Sequence, residues 1–578
     1  MSRPILIRTI ALLIAALASA GGAWLYYRYI GSDAPVWLDS ARAVLFLVTS
    51  FWLVWGGTTG VLGAVSPSRA RATGPIAAPK GLTAILVPIY NEDPASTFSR
   101  IAAMNRSLIA EGIAERFHFA VLSDSTSLEV ATQEAVWFEQ LIREPLAAGR
   151  VFYRRRERNI GKKAGNIEDF ISRSGAAYDY ALILDADSLM DGATIGRMAL
   201  RMDADAELGL LQTVPEVIRA ETIFGRLMAF SSAYLSPYFA RGQSLMQRKE
   251  GPYWGHNAIV RVQAFAASCG LPVLSGKPPY GGHILSHDYV EAALLAREGW
   301  KVELDPTLGG SFEEGPENLI EYAKRDRRWC QGNLQHRRLI AAPGLKFWSR
   351  FTFVQGIMAY MASPLWLLLL VTSLIAASIP DTRWWVPHDD AMWVLTLAVA
   401  IALLLPKATI LVRGAFDGRN KQFGGTLRVA SGVLSEIALS TLLAPIMLCF
   451  QSKAVFEILL GLDGGWPATK RDQTRVEFGV AFASSWWIVV TGAVTLAVAV
   501  MFAPGLVPWL LPVTAPAIAA PLLIGLTSLS PKARFLFGTA VERAPTEAMV
   551  LQKRIHENWT MHGPELPEAG VRVGHVLA

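Results

Sequence analysis

Two apolar runs without a charged residue, 9–27 and 43–65, constrain this sequence more than any other feature. An α-helix rises about 1.5 Å per residue, so each run can cross a hydrocarbon core of about 30 Å. A second pair lies at 351–379 and 391–412, the latter interrupted by Lys407 near one end. A third lies at 478–503 and 505–529, separated by Pro504. The stretch 428–462 between these pairs is apolar but broken by Glu436, Pro445, Lys453 and Glu457. Apolar residues reach 52% of the chain and charged residues only 18%, where a soluble globular chain carries about 25% charged. That balance excludes disorder. The three cysteines, Cys269, Cys330 and Cys449, form no CxxC pair, which excludes a disulfide scaffold and a cysteine zinc site.

Lys and Arg near the spans set the orientation. Arg69, Arg71 and Lys80 follow the first pair; Arg413, Arg419, Lys421 and Arg428 follow the second. Lys470, Arg471 and Arg475 precede the third, and Lys532, Arg534, Arg543, Lys553, Arg554 and Arg572 follow it. The loops 28–42 and 380–390 are poorer in basic residues. All four basic segments share the cytoplasmic side only if 428–462 enters and leaves on one side. Its helical length of about 52 Å is too short for two upright spans and a turn. The expectation is a re-entrant or short hairpin of tilted passes, or helices lying in the interface. The formal charge of +6 then fits loops facing an anionic leaflet and calls for no nucleic-acid partner. Arg3 and Arg8 before Ala18-Ser19-Ala20 also read as a signal peptide, a reading that leaves the final topology unchanged.

The domain plan is therefore an N-terminal membrane pair over 1–79, an α/β domain over 80–345, a C-terminal membrane region over 346–530 and a cytoplasmic tail over 531–578. Within 80–345, apolar strand signals at Leu82–Pro88, Phe117–Leu122, Val151–Arg154 and Tyr180–Leu184 alternate with helical patterns near 94–110, 128–146 and 163–174. Such alternation predicts βαβ units and a parallel sheet, which binds ligands at the carboxyl ends of its strands.

The motifs fall at those ends. The first strand runs into Pro88-Ile-Tyr-Asn-Glu-Asp93, either a capped turn or a loop that holds a flat base against Tyr90 with Glu92 beside it. The second ends at Asp124, either a helix cap or an acceptor for a nucleotide's base or ribose. Lys162 and Lys163, at a helix start beside Gly161 and Gly165, offer charge to a diphosphate. The fourth strand ends in Asp185-Ala-Asp187. Two carboxylates two residues apart on an extended chain share a face and repel, so they suit Mg²⁺ or Mn²⁺ bridged to phosphate oxygens. Asp288 opens a helix at capping-box spacing from Glu291, so it is either a cap or a general base for a sugar hydroxyl. Arg325, Arg328, Trp329 and Gln331 sit on one helix before the second membrane pair. The indole offers a stacking face to a sugar, with Arg side chains at a leaving diphosphate. Finally, Gly464 to Arg475 reads as a lid over bound donor, with Trp466 as anchor and Lys470 and Arg471 as charge, or as a basic loop held at headgroups.

In this order the motifs resemble a processive family 2 glycosyltransferase, with a GT-A catalytic domain inserted in an α-helical polytopic membrane protein. The segments SHDYVEA, RDRRWCQGN and YWGHNAIVR are similar to the glucosyltransferase H group of that family, the inner-membrane synthases of osmoregulated periplasmic glucans. The resemblance implies a donor site that includes Pro88, an acceptor loop at Gly255-His256-Asn257, Asp288 as base, and Trp329 and Gln331 at the acceptor. It implies UDP-glucose as donor, Mg²⁺, growth of a β-1,2-linked chain by inversion, and export of that glucan through the lipid bilayer. Acyl carrier protein is a partner implied by the resemblance alone. The wider family's QxxRW reads Arg325-Asp-Arg-Arg-Trp329 here, and its ThrGluAsp reads Ser286-His-Asp288. The nearest alternatives are a cellulose- or hyaluronan-type synthase and a lipid-linked sugar transferase. A transporter would place charge inside its spans, yet those before residue 400 are nearly free of it while the acid pair sits in the α/β domain; a dinucleotide dehydrogenase would need GxGxxG after the first strand, which is absent.

Overall fold

The computed structural model describes residues 3–30, 35–67, 74–379, 389–463, 474–531 and 536–564. Ten strands form the α/β domain: β1 Thr83–Ile89, β2 Phe117–Ser123, β3 Val151–Arg155, β4 Tyr180–Ile183, β5 Leu189–Met190, β6 Leu208–Gln212, β7 Glu216–Ile218, β8 Ala258–Arg261, β9 Lys301–Leu304 and β10 Ser311–Glu314. Seven of them make one sheet in the order β3-β2-β1-β4-β8-β6-β9, and β5-β10-β7 make a small second sheet. The half from β3 to β4 is parallel, as the alternation predicts. β8 runs antiparallel to both β4 and β6, so the whole sheet is mixed.

Strand periodicity builds the core. Ile85, Val87 and Ile89 of β1 face one side with Phe98, Ile101 and Leu108. Ala84 and Leu86 face the other with Ile167, Phe170 and Ile171. A strand buried on both faces reads as a continuous apolar run, which is what Ala84–Val87 is.

Among the described residues, six helices are long and apolar enough to cross a membrane: Ile5–Arg28, Val36–Val65, Phe347–Ala377, Trp393–Phe416, Thr426–Leu459 and Phe478–Phe502. Pro504–Ile518 and Ala520–Thr527 form a further pair bent by 60°. The protein is thus a multi-pass membrane protein.

The structure departs from the expected hairpin over 428–462: Thr426–Leu459 is one helix of 34 residues. No glycine lies between 433 and 460 to turn the chain, and Pro445 alone is accommodated within the helix. The charges that looked like breakers are paired. Glu436 accepts from Lys407 at 2.6 Å and Glu457 from Arg327 at 3.0 Å.

Both ends of this helix rest on the α/β domain. Near its start Gly432 lies against the Phe230 ring, and near its end Glu457 meets Arg327. The other membrane helices likewise leave and return. Arg8 donates to Gln247 O at 2.8 Å, and Gly63 packs on Tyr238 O. Arg350 donates to Ala342 O at 2.9 Å, and Arg419, beyond the next helix, donates to Ala233 O at 2.7 Å. Val476 N donates to Ser528 Oγ at 2.9 Å, and Leu529 O accepts from Ile223 N at 3.0 Å.

The segment expected as a tail is not a free one over its described part. Helix Glu547–His562 buries Ala548, Gln552, Ile555 and Trp559 in the α/β domain.

Candidate active site

The acid pair is brought together by a turn: Ser188 N donates to Asp185 O at 3.0 Å. Asp185 and Asp187 thus lie in the turn beyond the end of β4, not on the strand itself. Ser188 Oγ accepts from Asp185 N at 2.9 Å, and Ala186 between them is buried in the core. Asp187 is only 7% exposed. Both carboxylates act on Glu313 of β10, whose carboxyl is pushed up by enclosure and by their charge, with His256 and Arg325 opposing. His256 Nε2 lies 3.1 Å from Glu313 Oε2.

Lys163 enters from the first turn of helix Lys162–Ser174 and donates to Asp185 and, at 2.7 Å, to Gly255 O. Gly161 and Gly165 serve this turn more than a ligand, since a Cβ on Gly165 would strike Ile160 O. Gly255 adopts φ +84°, and its Cα faces the Asp288 carboxyl, with 3.6 Å from an added Cβ to Asp288 Oδ2. One loop thus joins the acid pair, Lys163 and Asp288.

Asp288 is the second residue of helix His287–Arg297, whose N-cap is Ser286. The expected capping box with Glu291 does not form, because Glu291 faces His287 at 3.0 Å. Burial pushes the Asp288 carboxyl above its ordinary range, with His287 opposing and Glu291 adding to the rise.

The other expected donor residues line the strand ends beside this cluster. Pro88 lies in β1 opposite Leu122. Tyr90 N donates to the Glu92 carboxylate, and Asp93 caps the next helix through Ser96 N at 2.7 Å. Asp124 is held in a bidentate pair with Arg156 at 2.8 and 2.7 Å; Ser127, and not Asp124, caps helix Leu128–Ile142. Asn91 and Glu134 were missed in the sequence. Asn91 bridges the two loops, donating to Thr126 Oγ1 at 3.1 Å and accepting from Ser127 N at 3.0 Å. Glu134, fully buried, accepts from Ser123 and Ser125 hydroxyls and from Tyr153 at 2.9 Å. A lone Glu within an amphipathic helix gave no signal for that role.

The juxtamembrane helix Leu319–Gln335 carries the remaining residues. Arg325 lies 4.4 Å above the Trp329 ring, and Trp329 is 40% exposed, so a face of the indole is available to a sugar. Two residues expected at the acceptor have partners within the protein. Asn257 is fully buried and donates to Ser311 Oγ at 2.9 Å and Phe312 O at 3.2 Å, locking the loop to β10. Gln331 is buried and donates to Asp463 Oδ1 at 2.9 Å. Lys162 lies near Asp463 and Arg328; burial pulls its ammonium down, Asp463 opposes and Arg328 adds. The expected lid residues Trp466, Lys470 and Arg471 lie outside the described residues. Arg327 and Gln331 hold the chain that leads into that segment.

The same helix also holds the Asp288 loop. Gln335 Oε1 accepts from Leu285 N at 3.0 Å, and the fully buried His336 ring lies 2.9 Å from Ser286 O. Burial pulls the His336 imidazole down to about 4, so it stays neutral. Gly332 packs directly on Ser286: an added Cβ would stand 2.6 Å from Ser286 N. Gly332→Ala is expected to shift the Asp288 loop and cut kcat by about 10²-fold, with UDP affinity little changed. Steady-state kinetics alongside a UDP titration would check this; an unchanged kcat would show that the loop absorbs the methyl.

Comparison with known proteins follows this geometry. The family descriptions "Glycosyl transferase family 2" and "Glycosyl transferase family group 2" match residues 84–268 and 180–405. A glucans biosynthesis glucosyltransferase H from Cereibacter sphaeroides is 50% identical, covering 96% of this chain and 95% of that one. The chain belongs to the glucosyltransferase H family. A protein of the same name from Caulobacter vibrioides is 40% identical over 87% of this chain and 79% of its own. Among solved structures, a mannosyltransferase from Pyrobaculum calidifontis in complex with GDP-Man and Mn²⁺ is 15% identical with a TM-score of 0.45, covering 73% of this chain and 99% of its own. This glycosyltransferase therefore carries its family 2, GT-A-type domain between membrane helices.

The acid pair fits a divalent cation. Its donors are hard oxygens, the kind such a cation selects. Among the described residues no three His, Cys, Asp or Glu side chains are grouped for a metal.

Proposed function

We propose that this protein transfers glucose from UDP-glucose to the growing end of a β-1,2-linked glucan, inverting the anomeric centre, and repeats the step without releasing the chain. The observation that carries this reading is the Gly255 loop, which touches Asp288 and accepts from Lys163, itself bonded to Asp185. Asp288, Lys163 and, through Lys163, Asp185 thus flank one loop.

In the step, Asp288 takes the proton from the acceptor hydroxyl as that oxygen bonds to C1 of glucose and the bond from C1 to the diphosphate oxygen breaks. UDP leaves with the bonding pair. Asp187 and Asp185 would hold Mg²⁺ or Mn²⁺, which supplies charge neutralisation at the diphosphate when bound. Lys162, Lys163 and Arg328 meet the remaining phosphate charge. Tyr90 and the Asn91-bridged loops take the uracil and ribose, and Trp329 stacks on the acceptor sugar.

The same reading places the α/β domain in the cytoplasm and the helices in the bacterial inner membrane, supported by the excess of Lys and Arg in the sequence segments 66–80, 413–428 and 463–477 over 28–42 and 380–390. A cleft of about 700 Å³ between helices Phe347–Ala377, Thr426–Leu459 and Phe478–Phe502 supports export. Trp486, Trp487 and Phe456 line it with Lys453 and Glu457, and Glu457 is bonded to Arg327, two residues from Trp329. Aromatic faces beside polar groups suit a sugar chain leaving the acceptor site.

Purified protein given radiolabelled UDP-glucose and Mg²⁺ is expected to form a β-1,2-linked polymer, read by linkage analysis and size. Polymer of another linkage would replace the glucan assignment, and a single transferred glucose would replace processivity.

A further inference from the structure

The chain end supplies a part of the catalytic domain that its position after the last membrane helix does not suggest. Helix Glu547–His562 buries Ala548, Gln552, Ile555 and Trp559, a single face by helical spacing. Gln552 Nε2 donates to Ser99 Oγ at 3.1 Å, both buried. Ser99 belongs to helix Pro94–Ala110, which begins where the loop 88–93 ends. Trp559 stacks on Trp137 with ring centroids 5.4 Å apart and planes at 26°. Trp137 lies one helical turn beyond Glu134, whose carboxylate holds Ser123 and Ser125 at the second loop. The helix also abuts Leu189–Met190, the strand directly after the acid pair. It therefore packs behind three of the elements that follow the nucleotide-facing strand ends.

The lead-in is fixed as well. Thr539 and Glu542 form a capping box, and the buried Arg226 donates to Glu542 at 2.7 Å. The Asp288 loop, by contrast, is held by Gly332, Gln335 and His336 of the juxtamembrane helix.

We propose that helix Glu547–His562 is a positioning element of the nucleotide site: it fixes the spacing of the loops at 88–93 and 124–127 and of the acid pair, and donor affinity depends on it. This rests on the donor-site assignment made above. Because the base and the acceptor platform are held by a different helix, the effect falls on donor KM and leaves kcat nearly alone.

Trp559→Ala in the full-length protein is expected to raise the KM for UDP-glucose about tenfold with kcat within about twofold, and Trp559→Phe to restore most of it. Hydrogen exchange on the unmodified protein is expected to slow in 547–562 as well as in 88–93 and 124–127 when UDP and Mg²⁺ are added. The exchange experiment and Gln552→Ala carry the test if Trp559→Ala fails to fold. A lowered Tm with unchanged KM would show a merely structural helix and overturn the proposal. So would protection of both loops with none in 547–562. Protection of neither loop would overturn the donor-site assignment itself, a distinct result.

Discussion

Asp288→Asn is expected to lower glucosyl transfer by about 10²–10⁴-fold while leaving UDP affinity within about threefold. Asp288 stands in the first turn of its helix, against Gly255 and clear of a capping box. The amide keeps the shape and loses the proton acceptor, so binding survives and turnover does not. The environment adds a pH signature. Burial raises the Asp288 carboxyl, and a base works only when deprotonated. Activity should therefore fall as pH drops through a value above the ordinary carboxylate pKa of about 3.9, and this acid limb should be missing from the residual activity of the variant. Initial rates across pH, paired with calorimetric UDP titration, measure both. A variant with near-normal specific activity and a lower Tm would return Asp288 to a helix-start role.

Asp187→Asn is expected to remove the metal dependence of donor binding and at least about 10²-fold of transfer. Asp187 is nearly enclosed, and its charge already bears on Glu313. An amide cannot supply the anionic oxygen a hard cation selects. The wild type should bind UDP more tightly with Mn²⁺ than with EDTA; the variant should show equal affinity in both. Mn²⁺ titration followed by electron paramagnetic resonance reads the site without turnover. An unchanged Mn²⁺ isotherm would move the cation to other ligands.

The strand ends were legible because each is an apolar run closed by polar residues: Leu182–Asp187 is the clearest, and the structure places it at the centre of the sheet. The order of motifs along the chain, from Asp124 to Trp329, also carried the family. Long-range side-chain partners were not legible. Asn257 and Gln331 look like acceptor contacts in a linear reading, yet both are spent inside the protein, on β10 and on Asp463. The charges within 428–462 misled for the same reason. Glu436 and Glu457 read as breaks in a span until Lys407 and Arg327 are seen beside them. The packing role of 547–562 was hidden because its apolar face is short and mixed with Lys553, Arg554 and Glu557, which reads as a solvated tail.

The anchoring of the first two membrane helix pairs at both ends on one domain bears on how the molecule is made. Such a pair can enter the bilayer as a unit with both of its ends left on the domain's side. On the proposed orientation, the 266 residues between the first two pairs (80–345) stay on the side of synthesis, because a pair of crossings brings the chain back. Deleting one whole pair would shorten the membrane region without inverting anything that follows, whereas losing half a pair would strand the chain on the wrong side of the bilayer.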